Sequence, residues 1–127
     1  MVERTKAELT TFVGTVIAVN KVHGNYGEEF DIQIKPEEIE VKGPTGCFHE
    51  FLRMSKNATE ESVPEGCIMD LYLRDLEMVI PEVEKAKTVS EALNMMMTKK
   101  FTFRKKVLGK AFKGHDASKH WVPISLA

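Results

Sequence analysis

The sequence predicts a mainly β fold: five strands, with one or two helices inserted between the third and the fourth. Three observations carry this. The hydrophobic period is near two over residues 12–54, lengthens to helical spacing over residues 62–97, and returns to two from Phe101. A glycine, Gly14, sits inside the first β-branched run. The chain has 127 residues, 43% hydrophobic and 29% charged, an ordinary globular balance for one domain with one core.

Residues 12–23 are rich in valine, isoleucine and threonine and read as the first strand. Gly14 within it predicts a bulge or a tight bend, as in a strongly curved barrel strand. Gly24-Asn-Tyr-Gly27 is turn chemistry. Over residues 29–35, Phe30, Ile32 and Ile34 alternate with Asp31, Gln33 and Lys35, the mark of a half-buried second strand. Pro36 interrupts it, and Ile39-Glu-Val41 can continue the edge. Lys42-Gly-Pro-Thr-Gly46 is a turn, and residues 47–54 form the third strand. Two phases of this strand stay open. One turns Phe48, Leu52 and Met54 inward and takes Glu50 with them; the other buries Phe51 and exposes Glu50.

The helical part opens on Ser62-Val-Pro-Glu65, a capping-box pattern with Pro64 in the first turn. Ile68, Leu71, Tyr72, Leu76 and Val79 follow on one face, until Pro81 ends the run. A strand over residues 67–73 is the rival, since Cys67, Met69, Leu71 and Leu73 also alternate. Thr88-Val-Ser-Glu91 is a second capping box, leading a face of Val89, Ala92, Leu93 and Met96. In the Met95-Met-Met97 run, Met96 fills the core and a neighbour is left exposed. The fourth strand begins at Phe101. Phe101, Phe103 and Val107 are expected inside, and Lys100, Thr102, Arg104 and Lys106 outside. After a connection over residues 110–120, Trp121 to Leu126 form a short last strand that Pro123 confines to an edge or a bulge. Residues 1–10 read as an N-terminal arm that can move.

Charge is divided along the chain. Residues 1–98 hold 10 Lys and Arg against 18 Asp and Glu, a net of −8. Residues 99–127 hold 8 against Asp116 alone, a net of +7. Such asymmetry points either to a polyanionic partner or to basic and acidic faces that meet each other. Phe101, Phe103, Val107 and Trp121 tie the basic segment into the core.

The strand order, Gly14-Thr-Val-Ile-Ala-Val19, the strand pair after it, Phe101-Thr-Phe103 and Trp121-Val-Pro123 resemble the OB-fold single-stranded-DNA-binding proteins, including their small archaeal and phage versions. The likeness spans most of the chain and is one of architecture. It implies a five-stranded OB-type Greek-key barrel over residues 1–127. It further implies non-catalytic binding of single-stranded nucleic acid, with DNA ranked ahead of RNA and the choice left open, in replication or repair.

Single strands are held by a positive groove and by rings on which bases stack. The second and third strands of an OB barrel and their flanking loops form the usual surface. That selects Lys35, Phe51 and Arg53, with Gln33 and His49 beside them, and Tyr26 in the first loop. Lys100, Arg104 and Lys106 on the fourth strand would meet phosphate, and Trp121 is a further candidate ring. The rival roles are core for Phe51 and a barrel plug for Trp121. Glu37, Glu38, Glu40, Glu60, Glu61 and Glu65 would repel phosphate, so a bound strand must avoid them.

No catalytic motif is present, and His115, Asp116 and His120 are a thin basis for acid–base work. Cys47-x-His49, Cys67, His115 and His120 supply metal-ligand types without the compact pairs that zinc sites use, so no metal or cofactor is expected. The polar start has no signal-peptide core, no run approaches membrane-spanning length, and two cysteines suit free thiols. A cytoplasmic protein is expected. The alternative function is a protein-interaction adaptor or assembly subunit that self-associates through complementary acidic and basic faces.

Overall fold

The computed structural model describes residues 2–3, 10–24, 27–109 and 118–127. Its elements are β1 (Val2–Glu3), β2 (Thr11–Gly24), β3 (Gly27–Pro36), β4 (Ile39–Glu40), β5 (Phe48–Arg53), α1 (Ile68–Val79), a 3-10 turn (Pro81–Lys85), α2 (Val89–Asn94), β6 (Lys100–Val107) and β7 (Lys119–Leu126). The fold is mainly β, with both helices between the third and fourth long strands, as the change of hydrophobic period predicts. The helical alternative prevails at residues 68–79. A short parallel pair, β1 with β4, lies apart from the main sheet and takes up part of the expected N-terminal arm.

The main sheet is antiparallel, in the order β5-β3-β2-β6-β7. Its central strand, β2, serves two partners. Thr11–Thr15 pair with β6, and Gly14–Gly24 pair with β3. Gly14 belongs to both ladders. A Cβ there would stand 2.7 Å from Ile34 Cγ2 and 3.1 Å from the Lys35 carbonyl oxygen, so only glycine lets the strands approach. The register slips between Val16 and Ala18, which leaves Ile17 as the extra residue of a bulge.

Phe30, Ile32 and Ile34 of β3 point into the core, as expected, and so do Phe48, Glu50 and Leu52 of β5. Phe12 of β2 is the hub of the aromatic packing. Its ring lies 4.9 Å from Phe48, 5.3 Å from Phe103 and 4.8 Å from Trp121, thereby joining β2, β5, β6 and β7.

Among the described residues, main-chain pairing does not close the sheet into a barrel. The two end strands, β5 and β7, are joined by a side chain. Glu50, only 3% exposed, accepts the Trp121 backbone N–H on Oε1 at 2.6 Å, and its Oε2 lies 2.6 Å from His120 Nδ1. His120 is held from behind by Ser118 Oγ at 3.0 Å. An inward Glu50 is thus fully bonded, which removes the objection to that phase of β5. His120, expected in a surface connection, is instead a buried residue of β7.

Helix α1 buries Met69, Tyr72 and Leu76 at spacings of three and four, and packs on β7. The Tyr72 hydroxyl donates to the Trp121 carbonyl oxygen at 3.1 Å. Trp121 therefore has its N–H and C=O bonded by two different elements. The Ser62–Glu65 capping box does not form. Gly66 takes a left-handed φ of 84°, so the helix starts after it, and Asp70 reaches back to accept the Gly66 N–H at 2.7 Å. The Thr88 cap does form, with Thr88 Oγ1 accepting the Glu91 N–H at 3.0 Å. Glu60 then seats α2 on the sheet, accepting from Ser90 N–H (2.8 Å), Ser90 Oγ (2.5 Å) and Lys21 Nζ (2.8 Å). Burial raises the Glu60 pKa, but these bonds outweigh it and hold the group below its ordinary 4.5.

Val107 and the methionine run depart from the expected pattern. Val107 is exposed at the end of β6, and in the methionine run Met96 is buried while Met95 and Met97 are half-buried. Pro123 lies on the edge strand opposite a register shift, where its missing N–H costs no ladder bond.

Glu50→Ala should destabilise the fold by about 3–5 kcal/mol, because it strands a buried N–H and a buried imidazole. Tyr72→Phe should cost about 1 kcal/mol. Urea unfolding measures both. Burial, then the Glu50 and Asp75 carboxylates, hold the Tyr72 phenol well above its ordinary 10.0. A raised folded pKa stabilises fully below the unfolded value and is lost as pH climbs past it. The native protein should therefore lose stability above about pH 10 more steeply than Tyr72→Phe does.

Candidate nucleic-acid interface

The burial of Glu50 fixes the opposite face of β5. With Phe48, Glu50 and Leu52 inside, His49, Phe51 and Arg53 point out. The ladders then set three outward rows across the sheet: Ala18–Gln33–His49, Asn20–Asp31–Phe51 and Val22–Glu29–Arg53. Phe51 is 49% exposed, so it is a surface ring and not core. Its ring is near-parallel to that of His49, with centroids 6.0 Å apart and an interplanar angle of 15°. The bulge adds Ile17, a second exposed apolar residue near these rows.

His49 is fixed at both nitrogens. Nδ1 lies 3.0 and 3.2 Å from the two carboxylate oxygens of Asp31 on the neighbouring strand. Nε2 lies 3.1 Å from Thr45 Oγ1 in the loop that leads into β5. An imidazole held this way presents its ring at a set angle, and the stack with Phe51 follows.

The basic residues lie along the same sheet. Thr15 pairs with Lys35 on one side and Lys100 on the other, so the two lysines flank one position of β2. Arg104 faces Thr11, at the far end of β2 from Asn20 and the Phe51 row. At about 3.3 Å per residue, that separation is roughly 30 Å along the strand. Arg53 ends the track beyond Phe51. Lys100 is paired with Glu37, while Arg104 has no ion-pair partner among the described residues.

Two expected contacts stand elsewhere. Lys106 lies past the end of the β2–β6 ladder and is paired with Asp75 of α1 at 2.9 Å. Trp121 is 1% exposed, a core plug whose ring face lies 5.0 Å from Lys105 Nζ, so no base can stack on it. Tyr26 falls outside the described residues, as do Lys110, Lys113, His115 and Asp116. Asn20, Ile17 and Asp31 belong to the face without having been singled out as contacts. The signal for Asp31 was its alternation with Phe30 and Ile32; nothing local marks Ile17 as a bulge.

The face is mixed in charge, since Glu29 and Asp31 stand among the basic groups. Beside it, Lys35, Pro36, Glu38, Ile39, Glu40, Val41 and Gly46 line a cavity of about 460 Å³. Among the described residues no three His, Cys, Asp or Glu side chains gather as a metal site, and no helix is long and apolar enough to cross a membrane. No protein family matches the chain, and comparisons with curated proteins and with solved structures also give no match.

The two aromatic residues should separate in stability. Phe51→Ala should change the unfolding free energy by less than about 0.5 kcal/mol, as for an exposed site. Trp121→Ala should cost about 3–5 kcal/mol. Parallel urea titrations of the two variants make the comparison.

Proposed function

We propose that this sheet is an incompletely closed OB-type barrel that binds single-stranded nucleic acid, without catalysis, on the outer face of β2, β3 and β5. The observation that carries the proposal is the outward pair of parallel rings, His49 and Phe51, on the third long strand. A base stacked on an exposed aromatic is worth about 1–3 kcal/mol and needs no sequence match. Lys35 and Lys100 on one side of the rings and Arg53 on the other supply phosphate contacts, and Arg104 extends the track.

The strand order supports the barrel assignment. A partly open five-stranded Greek-key barrel presents its second and third strands to oligonucleotides. In this chain those strands are β3 and β5, and Glu50 stands where a closing ladder would run. The Lys100–Glu37 pair does not bar phosphate, because an exposed ion pair is worth about 0–1 kcal/mol and a phosphate can replace the carboxylate at little cost. Asp31 and Glu29 keep the field weak, which favours modest, salt-sensitive affinity.

A second function has its own observation. Met78 on α1 is 83% exposed, and Val107 and Leu126 are exposed as well. These apolar groups suit an adaptor or assembly subunit that contacts protein. Light scattering at low and high salt would show such self-association.

Fluorescence anisotropy with labelled DNA and RNA oligonucleotides tests the primary proposal. Saturable binding is expected at low salt, with log affinity falling linearly against log salt. Phe51→Ala should weaken it about tenfold, within the range for one stacked base. Lys35→Glu, Arg53→Glu and Arg104→Glu should each weaken it and flatten the salt slope. Lys106→Glu should do little, since that lysine serves Asp75. Absence of binding at low salt rejects the proposal.

A further inference from the structure

We propose that Thr45 is an activated nucleophile, made an acceptor for acyl groups from activated carboxylic esters by the relay Asp31–His49–Thr45. The relay shares His49 and Lys35 with the proposed nucleic-acid face, but its test reads acylation of Thr45 and does not depend on nucleic-acid binding.

The proton positions follow from the donors. A carboxylate can only accept, so Asp31 places the proton of a neutral imidazole on Nδ1, which lies 3.0 Å from Oδ1. Nε2 then carries a lone pair, 3.1 Å from Thr45 Oγ1. Thr45 Oγ1 itself accepts the Cys47 backbone N–H at 3.3 Å. Because Nε2 carries no proton it can only accept, so the Thr45 hydroxyl donates to it. Nucleophile, base and orienting carboxylate are thus in series, each within hydrogen-bond reach of the next.

The surroundings add access and a place for substrate. Thr45 is exposed, on a turn between Gly43 and Gly46, whose φ values of 142° and 66° bend the chain on both sides of it. Gly46, next to Thr45 in the chain, is also a wall of the 460 Å³ cavity, whose other walls are Lys35, Pro36, Ile39 and Val41 with the carboxylates Glu38 and Glu40. Lys35 Nζ, 3.5 Å from the Gly46 carbonyl oxygen, places a positive charge at the same wall, suited to a developing oxyanion.

The step balances within the residues named. Thr45 Oγ1 attacks the ester carbonyl carbon as its proton passes to His49 Nε2. The tetrahedral oxyanion collapses, the bond to the leaving oxygen breaks, and that oxygen takes the proton from Nε2. The products are O-acyl Thr45 and the free alcohol or phenol.

A purely structural role for the same bonds would tether the loop and leave Thr45 inert. Incubation of the full chain with p-nitrophenyl acetate, followed by intact mass and peptide mapping, separates the two. One acetyl group is expected on Thr45. Thr45→Ser should keep the adduct and Thr45→Val should lose it. His49→Gln, checked as folded by circular dichroism, should slow acetylation of Thr45 by about a hundredfold or more. No adduct on the native chain, an adduct confined to lysine or to Cys47 or Cys67, or acetylation of Thr45 at an unchanged rate in His49→Gln would each overturn the proposal.

Discussion

The carboxylate of Glu50 joins the two strands that the ladder leaves apart. It bonds the Trp121 N–H and stands against His120, so β5 and β7 meet through a side chain. A buried carboxylate is tolerated only when its oxygens are bonded, because the desolvation cost of the bare ion is several kcal/mol. Here both oxygens have partners. Tyr72 completes the arrangement from below by bonding the Trp121 carbonyl, which brings α1 under the open edge.

The outer face is a consequence of that inner bond. Strand side chains alternate with a period of two, so placing Glu50 inside forces His49, Phe51 and Arg53 outside. A shift of one residue would bury Phe51 and expose Glu50, which would undo the edge junction and the ring pair together. The candidate interface and the fold therefore rest on one register. The same register sets His49 beside Asp31, and so also creates the relay to Thr45.

The divided charge is used in two ways. Lys106 pairs with Asp75 and Lys100 with Glu37, so part of the basic segment meets the acidic body of the same chain. Arg104 faces outward on the sheet with Lys35 and Arg53. Pairs such as Lys100–Glu37 are exposed and weak, and they leave the lysine open to exchange. The basic segment is one strand of the sheet, not a tail, since Phe101 and Phe103 bury its inner face.

The sequence by itself determined the elements whose signal is local. Alternation in Phe30, Ile32 and Ile34 placed β3, the Thr88 box placed the start of α2, and Gly14 marked the crowded crossing of β2. These depend on spacing and on backbone chemistry within a few residues. Tertiary structure decided what local patterns leave balanced. The phase of β5 turned on whether Glu50 could find partners, and those partners lie about seventy positions away in β7. Trp121 became core and Phe51 surface for the same reason. The Ser62 box failed because Gly66 breaks the backbone before the helix can begin, and Lys106 left the sheet face for a carboxylate on α1. Each outcome was set by a contact between distant segments, whose energy no local pattern of residues contains.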